Sequence, residues 1–172
     1  ESIMCLGNGY MGLRSCAEEA YPGQTRGLFI AGTFNQFDDS EVTELPNCPD
    51  FIETALQLDN EFFDLTKGRI TNYEKKLNMK NGLLTRRAHW EMGEKRYSLV
   101  FERFVSNKDL HAVGQKIIII PEQNVLVRII TGVNGRMTNS GSQHFSEGSK
   151  RFIDKKYLQM AARTTSSHIH MC

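Results

Sequence analysis

Gly7, Gly9 and Gly12 give the opening stretch Leu6-Gly7-Asn8-Gly9-Tyr10-Met11-Gly12 the spacing G-x-G-x-x-G, in which a glycine backbone can cradle a pyrophosphate at a helix N-terminus. That chemistry needs a buried strand before the motif, a helix opening from its last glycine and an acid about 20 positions further on. Here the segment after Gly12 runs only from Leu13 to Tyr21 before Pro22-Gly23, too short for a crossover helix, and Asp38 and Asp39 arrive late. The context therefore argues against nucleotide binding. The alternative is a backbone role, with the glycines taking positive φ in a tight irregular turn and Asn8 tolerating the same region.

Carboxylates can work as a pair, one acid protonating a leaving oxygen and a second carboxylate activating water or attacking directly. Asp38, Asp39, Asp59, Glu61, Asp64, Glu91 and Glu102 are the available acids, and they fall in turns or on alternating strand faces, where acids ordinarily meet water. None is nominated as catalytic. His168 and His170 would share one face of a strand, as metal ligands do, but no third ligand is near and His89, His111 and His144 are scattered, so no metal site is assigned. Serine and histidine occur without a G-x-S-x-G elbow. Trp90, Tyr97, Phe101 and Phe104 could stack on a sugar ring; such residues are ordinarily core, and Trp90, near a strand end, is the candidate for an exposed platform. No residue is assigned to a cofactor, and none is expected.

These residues must be positioned by one modest chain. Its 172 residues suffice for a single domain with a core, spanning 1–172, and 40% hydrophobic content is ordinary for a globular protein. A net charge of +1 gives no field to gather polyanions or membrane surfaces. The pairs Lys75-Lys76, Arg86-Arg87, Lys150-Arg151 and Lys155-Lys156 lack interleaved stacking aromatics, so neither nucleic acid nor membrane is expected as a partner. Cys5, Cys16, Cys48 and Cys172 form no C-x-x-C pair and make a poor disulfide scaffold, which predicts reduced thiols in a cytoplasmic protein. No apolar run reaches the roughly 18 residues of a membrane span, and no signal peptide opens the chain. The chain begins at Glu1, inside a motif, as a piece of a longer protein would.

Hairpins dominate the rest. Gly27 to Phe34 reads as a short buried strand, and the proline of Glu44-Leu45-Pro46-Asn47 holds Leu45 extended. Ala55–Leu58 and Glu61–Leu65 flank Asp59-Asn60, a pair that tolerates αL. Ile70–Met79 and Leu83–Glu91 flank Asn81-Gly82, the strongest short signal for a type I′ turn. Lys95–Val105 alternates with period two, the mark of a half-buried antiparallel strand. Lys116–Ile120 and Val125–Ile130 read as another strand pair, and Asn134-Gly135 as a further turn. Serine, glycine and charge from Thr138 to Lys156 predict a long loop, with final strands at Tyr157–Arg163 and Ser166–Met171. No sustained 3.6-residue stripe appears. The expected fold is mainly β, an antiparallel β-sandwich of successive hairpins with few helices.

Several segments, in order, resemble the N-terminal domain of glycoside hydrolase family 65, the maltose, trehalose and kojibiose phosphorylases and related hydrolases. They are Glu1-Ser2 with Gly7-Asn8-Gly9-Tyr10-x-Gly12-x-Arg14, then Gly27-x-x-Ile30-Ala31-Gly32 and Leu45-Pro46-Asn47. Leu77-Asn78-Met79 with Gly82-Leu83-Leu84-Thr85-Arg86, and Arg103-Phe104-Val105-Ser106 with Asp109-Leu110-His111, continue it. Two positions depart from the family pattern: Asn60 stands where glycine is common, and Asn78 where an acid is usual. The amide of Asn78 can accept the same backbone hydrogen bonds but brings no charge. The resemblance implies an elaborate β-sandwich whose catalytic glutamate and phosphate-binding residues lie in an (α/α) barrel outside these residues. It further implies packing on that barrel, support of a homo-oligomer and action of the parent on α-glucobioses. A free-standing module binding an α-glucoside, or a purely structural domain, are the rivals. A strand at His168–Met171 lying at a sheet edge would favour dimers.

Overall fold

The computed structural model describes residues 2–172, and every regular element in them is a β-strand. The longest sheet has the order β6-β7-β8-β9, from Arg69–Asn78, Leu83–Met92, Lys95–Val105 and Val113–Pro121. Alternation fixes its faces. The register sets Trp90 opposite Tyr97, Ala88 opposite Leu99, Arg86 opposite Phe101 and Leu84 opposite Arg103, and all eight are buried. Period-two pleating puts them on one inward face.

Three smaller sheets cover that face. β1 (Leu6–Gly7), β2 (Met11–Leu13) and β3 (Leu28–Ile30) pack Leu6, Met11, Leu13 and Leu28 against Leu84 and Val105. β4 (Thr54–Leu58) and β5 (Glu61–Phe62), joined at their edge by β10 (Val127–Thr131), bring Leu56 and Leu58 onto Trp90, Tyr97, Leu99 and Phe101. The third, β11 (Phe145–Ile153), β12 (Tyr157–Thr164) and β13 (His170–Met171), adds only its base, Phe145 and Ala162, to the first cluster. The result is an antiparallel all-β sandwich, as the hairpin pattern predicts.

Several expectations need correction. Residues 145–153 form strand β11 rather than part of a loop, closed by a turn in which Asp154 and Lys155 both take positive φ, +51° and +53°, and Lys156 N–H donates to the Ile153 carbonyl at 3.0 Å. Two consecutive positive-φ positions are filled here without asparagine or glycine, on a strand exposed beyond Phe145, so neither turn residues nor alternation announces it. Around Asn81-Gly82 the pairing of Asn78 with Leu83 leaves a four-residue loop; only Gly82 lies at φ +67°, and its N–H donates to the Asn78 carbonyl at 2.8 Å. Asn78 Oδ1 accepts from Lys80 N–H at 3.0 Å, so the amide does the backbone work open to it. In the Asp59-Asn60 turn, Asp59 alone takes positive φ.

β9 and β10 are not a pair: β9 joins β8, and β10 crosses to β4. The connection is anchored on the Asp59 turn, where Asp59 Oδ1 accepts from Leu126 N–H at 2.8 Å and Asp59 N–H donates to the Leu126 carbonyl at 2.7 Å. Asn134 makes a bridge to Asp50 instead of turning a hairpin. The last strand shortens to His170–Met171, because Thr164 N–H and Oγ1 fold residues 165–169 into a turn with His168 at φ +59°.

Candidate functional site

The glycine-rich opening is a β-hairpin, β1 to β2, rather than a strand-to-helix turn. Of its residues only Gly9 takes positive φ, +85°; Gly7, Gly12 and Asn8 do not. Asn8 acts through its side chain. Oδ1 accepts from the Tyr10 and Met11 amides at 3.0 and 2.9 Å, and Nδ2 donates to the Ser106 and Leu110 carbonyls at 2.7 and 3.0 Å. The Tyr10 ring then packs against His111 at an interplanar angle of 46°, ring centroids 4.3 Å apart. The first motif and the Ser106 to His111 segment thus form one joint, and its amides satisfy a side chain rather than an anion.

Asn47 works in the same way, accepting from Leu28 N–H at 3.0 Å and donating to the Arg26 carbonyl at 3.1 Å. It splices its loop into β3.

Between the two apolar clusters lies a buried ionic group that sequence reasoning missed. Arg86 and Arg103, diagonal on the inward face of β7 and β8, reach Glu18 and Glu19. Arg86 donates to both Glu19 oxygens at 2.7 and 2.5 Å and to Glu18 Oε2 at 2.7 Å, while Arg103 donates to Glu18 Oε1 and, at 3.2 Å, to the Cys16 carbonyl. Arg86 also lies 4.0 Å from the Phe101 centroid. All four side chains are less than a twentieth exposed.

Burial would push the Glu18 carboxyl up, but Arg86 and Arg103 more than offset it and hold it below the usual range. Arg26 clamps the backbone beneath, donating to the Ala17, Glu18 and Glu19 carbonyls at 2.9–3.0 Å and to Asp50 at 3.0 Å. Each carboxylate is bonded by guanidinium, so none is placed to give a proton to a substrate. The group locks the Ser15–Glu19 segment across the large sheet.

The acids named from sequence do not converge. Asp38 binds Ser40 and Asp64 binds Thr66, hydrogen bonds that hold both carboxyls low. Asp59 is held low by the Leu126 amide and by Lys95. Glu91 faces Arg69 and Arg96 at 3.8 and 3.7 Å, Glu102 faces Lys116 at 3.7 Å, and Asp39 and Glu61 are exposed. His168 sits in a turn and His170 on a strand, so they do not share a strand face.

Among the described residues, one group could converge on a cation, Glu41, Glu44 and His144. Its hydrogen bonds oppose that role. Asn35 Oδ1 accepts from the Ser166 and Ser167 amides at 2.9 and 3.0 Å, which turns its NH₂ toward His144 Nδ1, 3.0 Å away. Nδ1 is therefore an acceptor, the ring proton sits on Nε2, and Nε2 donates to Glu44 at 2.8 Å. A cation beside Glu44 would need a lone pair on Nε2, which carries the ring proton instead.

Trp90 is fully buried. Its indole N–H donates to the Lys67 carbonyl at 2.9 Å and its ring meets Phe63 and Tyr97, so the expected platform is core. A cleft of about 610 Å³ lies beside β12 and is lined by Tyr10, Ile30, Phe51, His111, Leu158 and Met171 among others. Its lining carries no Asp, Glu, Lys or Arg, so it offers neither a carboxylic acid nor a cationic phosphate clamp.

Residues 1–172 match throughout the family model for the glycosyl hydrolase family 65 N-terminal domain. The chain is 47% identical over 171 residues to a kojibiose phosphorylase of Halothermothrix orenii, covering 98% of this chain and 22% of that one. It is 33% identical over 160 residues to a kojibiose phosphorylase of Escherichia coli, covering 92% and 21%. A maltose phosphorylase of Bacillus subtilis is 29% identical over 182 residues, covering 95% and 24%. A solved structure described as "Putative kojibiose phosphorylase from human microbiome" superposes with a TM-score of 0.89 at 19% identity, covering 96% of this chain and 24% of that one, a likeness of fold. The chain spans about a fifth of the length of the curated relatives it matches.

Proposed function

The chain belongs to the glycosyl hydrolase family 65 N-terminal domain family, and from that premise we propose that it is a non-catalytic sandwich domain of a longer phosphorylase acting on α-linked glucobioses. The parent cleaves a substrate of the kojibiose, maltose or trehalose type with phosphate as acceptor and inversion at the anomeric carbon. This domain packs against the parent's catalytic barrel, forms part of the wall of its entrance and supports assembly into a cytoplasmic homo-oligomer.

One observation carries the reading: the family-pattern side chains are committed to holding the fold. Asn8 and Asn47 splice loops to strands, and Arg86 and Arg103 neutralise buried glutamates. Phosphorolysis of a glycoside needs an acid at the leaving oxygen and cations around the attacking phosphate. The cleft beside β12 offers no such pair. Purified chain incubated with kojibiose, maltose or trehalose and phosphate is expected to release no glucose 1-phosphate above a no-protein control. Release from any of them overturns the proposal.

A further inference from the structure

The net charge of +1 hides a segregation. Between Gly27 and Thr66 the chain has no Lys or Arg, and its loop 34–44 exposes Asp38, Asp39 and Glu41 beside Phe34, Phe37 and Val42. The tip of the β11–β12 hairpin is the converse, with exposed Lys150, Arg151, Lys155 and Lys156 around Phe152 and Tyr157, which are 63% and 62% exposed. Two acids lie on the same hairpin, Asp154 in its turn and Glu147, which pairs with Lys150 at 3.0 Å.

The two surfaces occupy opposite ends of one arm. The acidic loop sits at its base, where the Phe37 ring lies 6.1 Å from that of His144, Ser142 Oγ donates to Glu41 at 3.0 Å, and Asn35 holds the Ser166 and Ser167 amides. From Phe145 to Ile153 the extended strand carries the tip roughly 27 Å away at ordinary rise per residue. Every residue from Ser146 to Leu158 is exposed.

We infer that this arm is a self-association device: two copies pair about a two-fold axis with arms antiparallel, each basic, aromatic tip lying on the partner's acidic, aromatic base. A two-fold interface must be self-complementary, contact i–j implying j–i, and an arm with opposite charge at its ends satisfies this by construction. The charges set register and specificity, and the desolvated rings supply the adhesion. The inference deepens the assembly role proposed above and rests on it; it is independent of substrate and reaction.

Charge swapping tests it. R151E/K156E reverses the tip and D39K/E41K reverses the base. Sedimentation equilibrium from micromolar to millimolar concentration is expected to show a wild-type dimer that weakens as salt is raised. Each variant alone juxtaposes like charges twice and is expected to dimerise about tenfold more weakly or worse. An equimolar mixture of the two restores both contacts and is expected to return to wild-type mass, as is the chain carrying all four changes. A wild-type dimer whose variants associate normally, or whose mixture stays monomeric, overturns the arm pairing and leaves the assembly role standing. A monomeric wild-type chain overturns both. Circular dichroism of each variant, unchanged from wild type, shows that the fold is retained.

Discussion

Arg86→Met removes one member of a buried ionic group and leaves the rest in place. In the intact protein Arg86 makes four hydrogen bonds, two to Glu19 and two to Glu18. The methionine fills similar volume and keeps the contact with Phe101, so the loss is electrostatic. Glu18 retains Arg103, whereas Glu19 loses the guanidinium that pairs it. Stranding one buried charge typically costs about 3–5 kcal/mol. For a chain of this size, 1 kcal/mol moves Tm by about 2–4 °C, so the melting temperature is expected to fall by roughly 6–20 °C. Thermal unfolding followed by circular dichroism reads it.

The pH dependence separates this cause from lost packing. Glu18 in the wild type is held below its ordinary value, so its contribution is present above the unfolded pKa and is lost as pH falls through the lower folded one. Arg86→Met takes away the first of the two guanidiniums that hold Glu18 low, so the variant has less of this contribution to lose on acidification. The gap between variant and wild type should narrow as pH drops below about 5. A loss under 1 kcal/mol, or a gap independent of pH, refutes the reasoning.

Other expectations are briefer. Asn8→Ala removes four hydrogen bonds joining the first hairpin to the Ser106–Leu110 loop and should cost about 2–4 kcal/mol in urea unfolding; a loss within error means the joint is redundant. Replacing Asp154-Lys155 by Asn-Gly puts the two residues that best tolerate positive φ at these positions and should stabilise by about 1 kcal/mol, with the same denaturation as readout. Cys48 is pushed up to about 11 by burial and Cys16 is raised by burial as well, so a thiol reagent at neutral pH should label exposed Cys5 and Cys172 quickly and the buried pair only on unfolding. Trp90 should emit as a buried indole, resist acrylamide quenching and give no change on adding maltose or trehalose; a sugar-dependent shift contradicts its place in the core.

The alternating signals were legible wherever one face is buried. Lys95–Val105 was readable to its ends because Tyr97, Leu99, Phe101 and Val105 recur with period two. β11 was hidden because its residues beyond Phe145 bury no face, so composition imitated a loop. The partner of β10 was misread because sequence nearness favoured β9, whereas the Asp59 side chain and backbone fix the crossover to β4. Glu18 and Glu19 carried no local signal. Their partners lie 67 and more residues away, and only the diagonal of β7 and β8 brings Arg86 and Arg103 to one place. Trp90 looked available from its position near a strand end, but β4 and Phe63 lie over that end of the sheet.

The central claim is that recognition and chemistry reside outside this domain, whose own patterned residues hold the fold. A ligand-observed NMR titration of the chain with glucose, maltose, trehalose and phosphate tests it most directly. The account predicts no saturable binding of any of the four. Saturable binding of a sugar or of phosphate would give the domain a recognition site of its own and contradict the account.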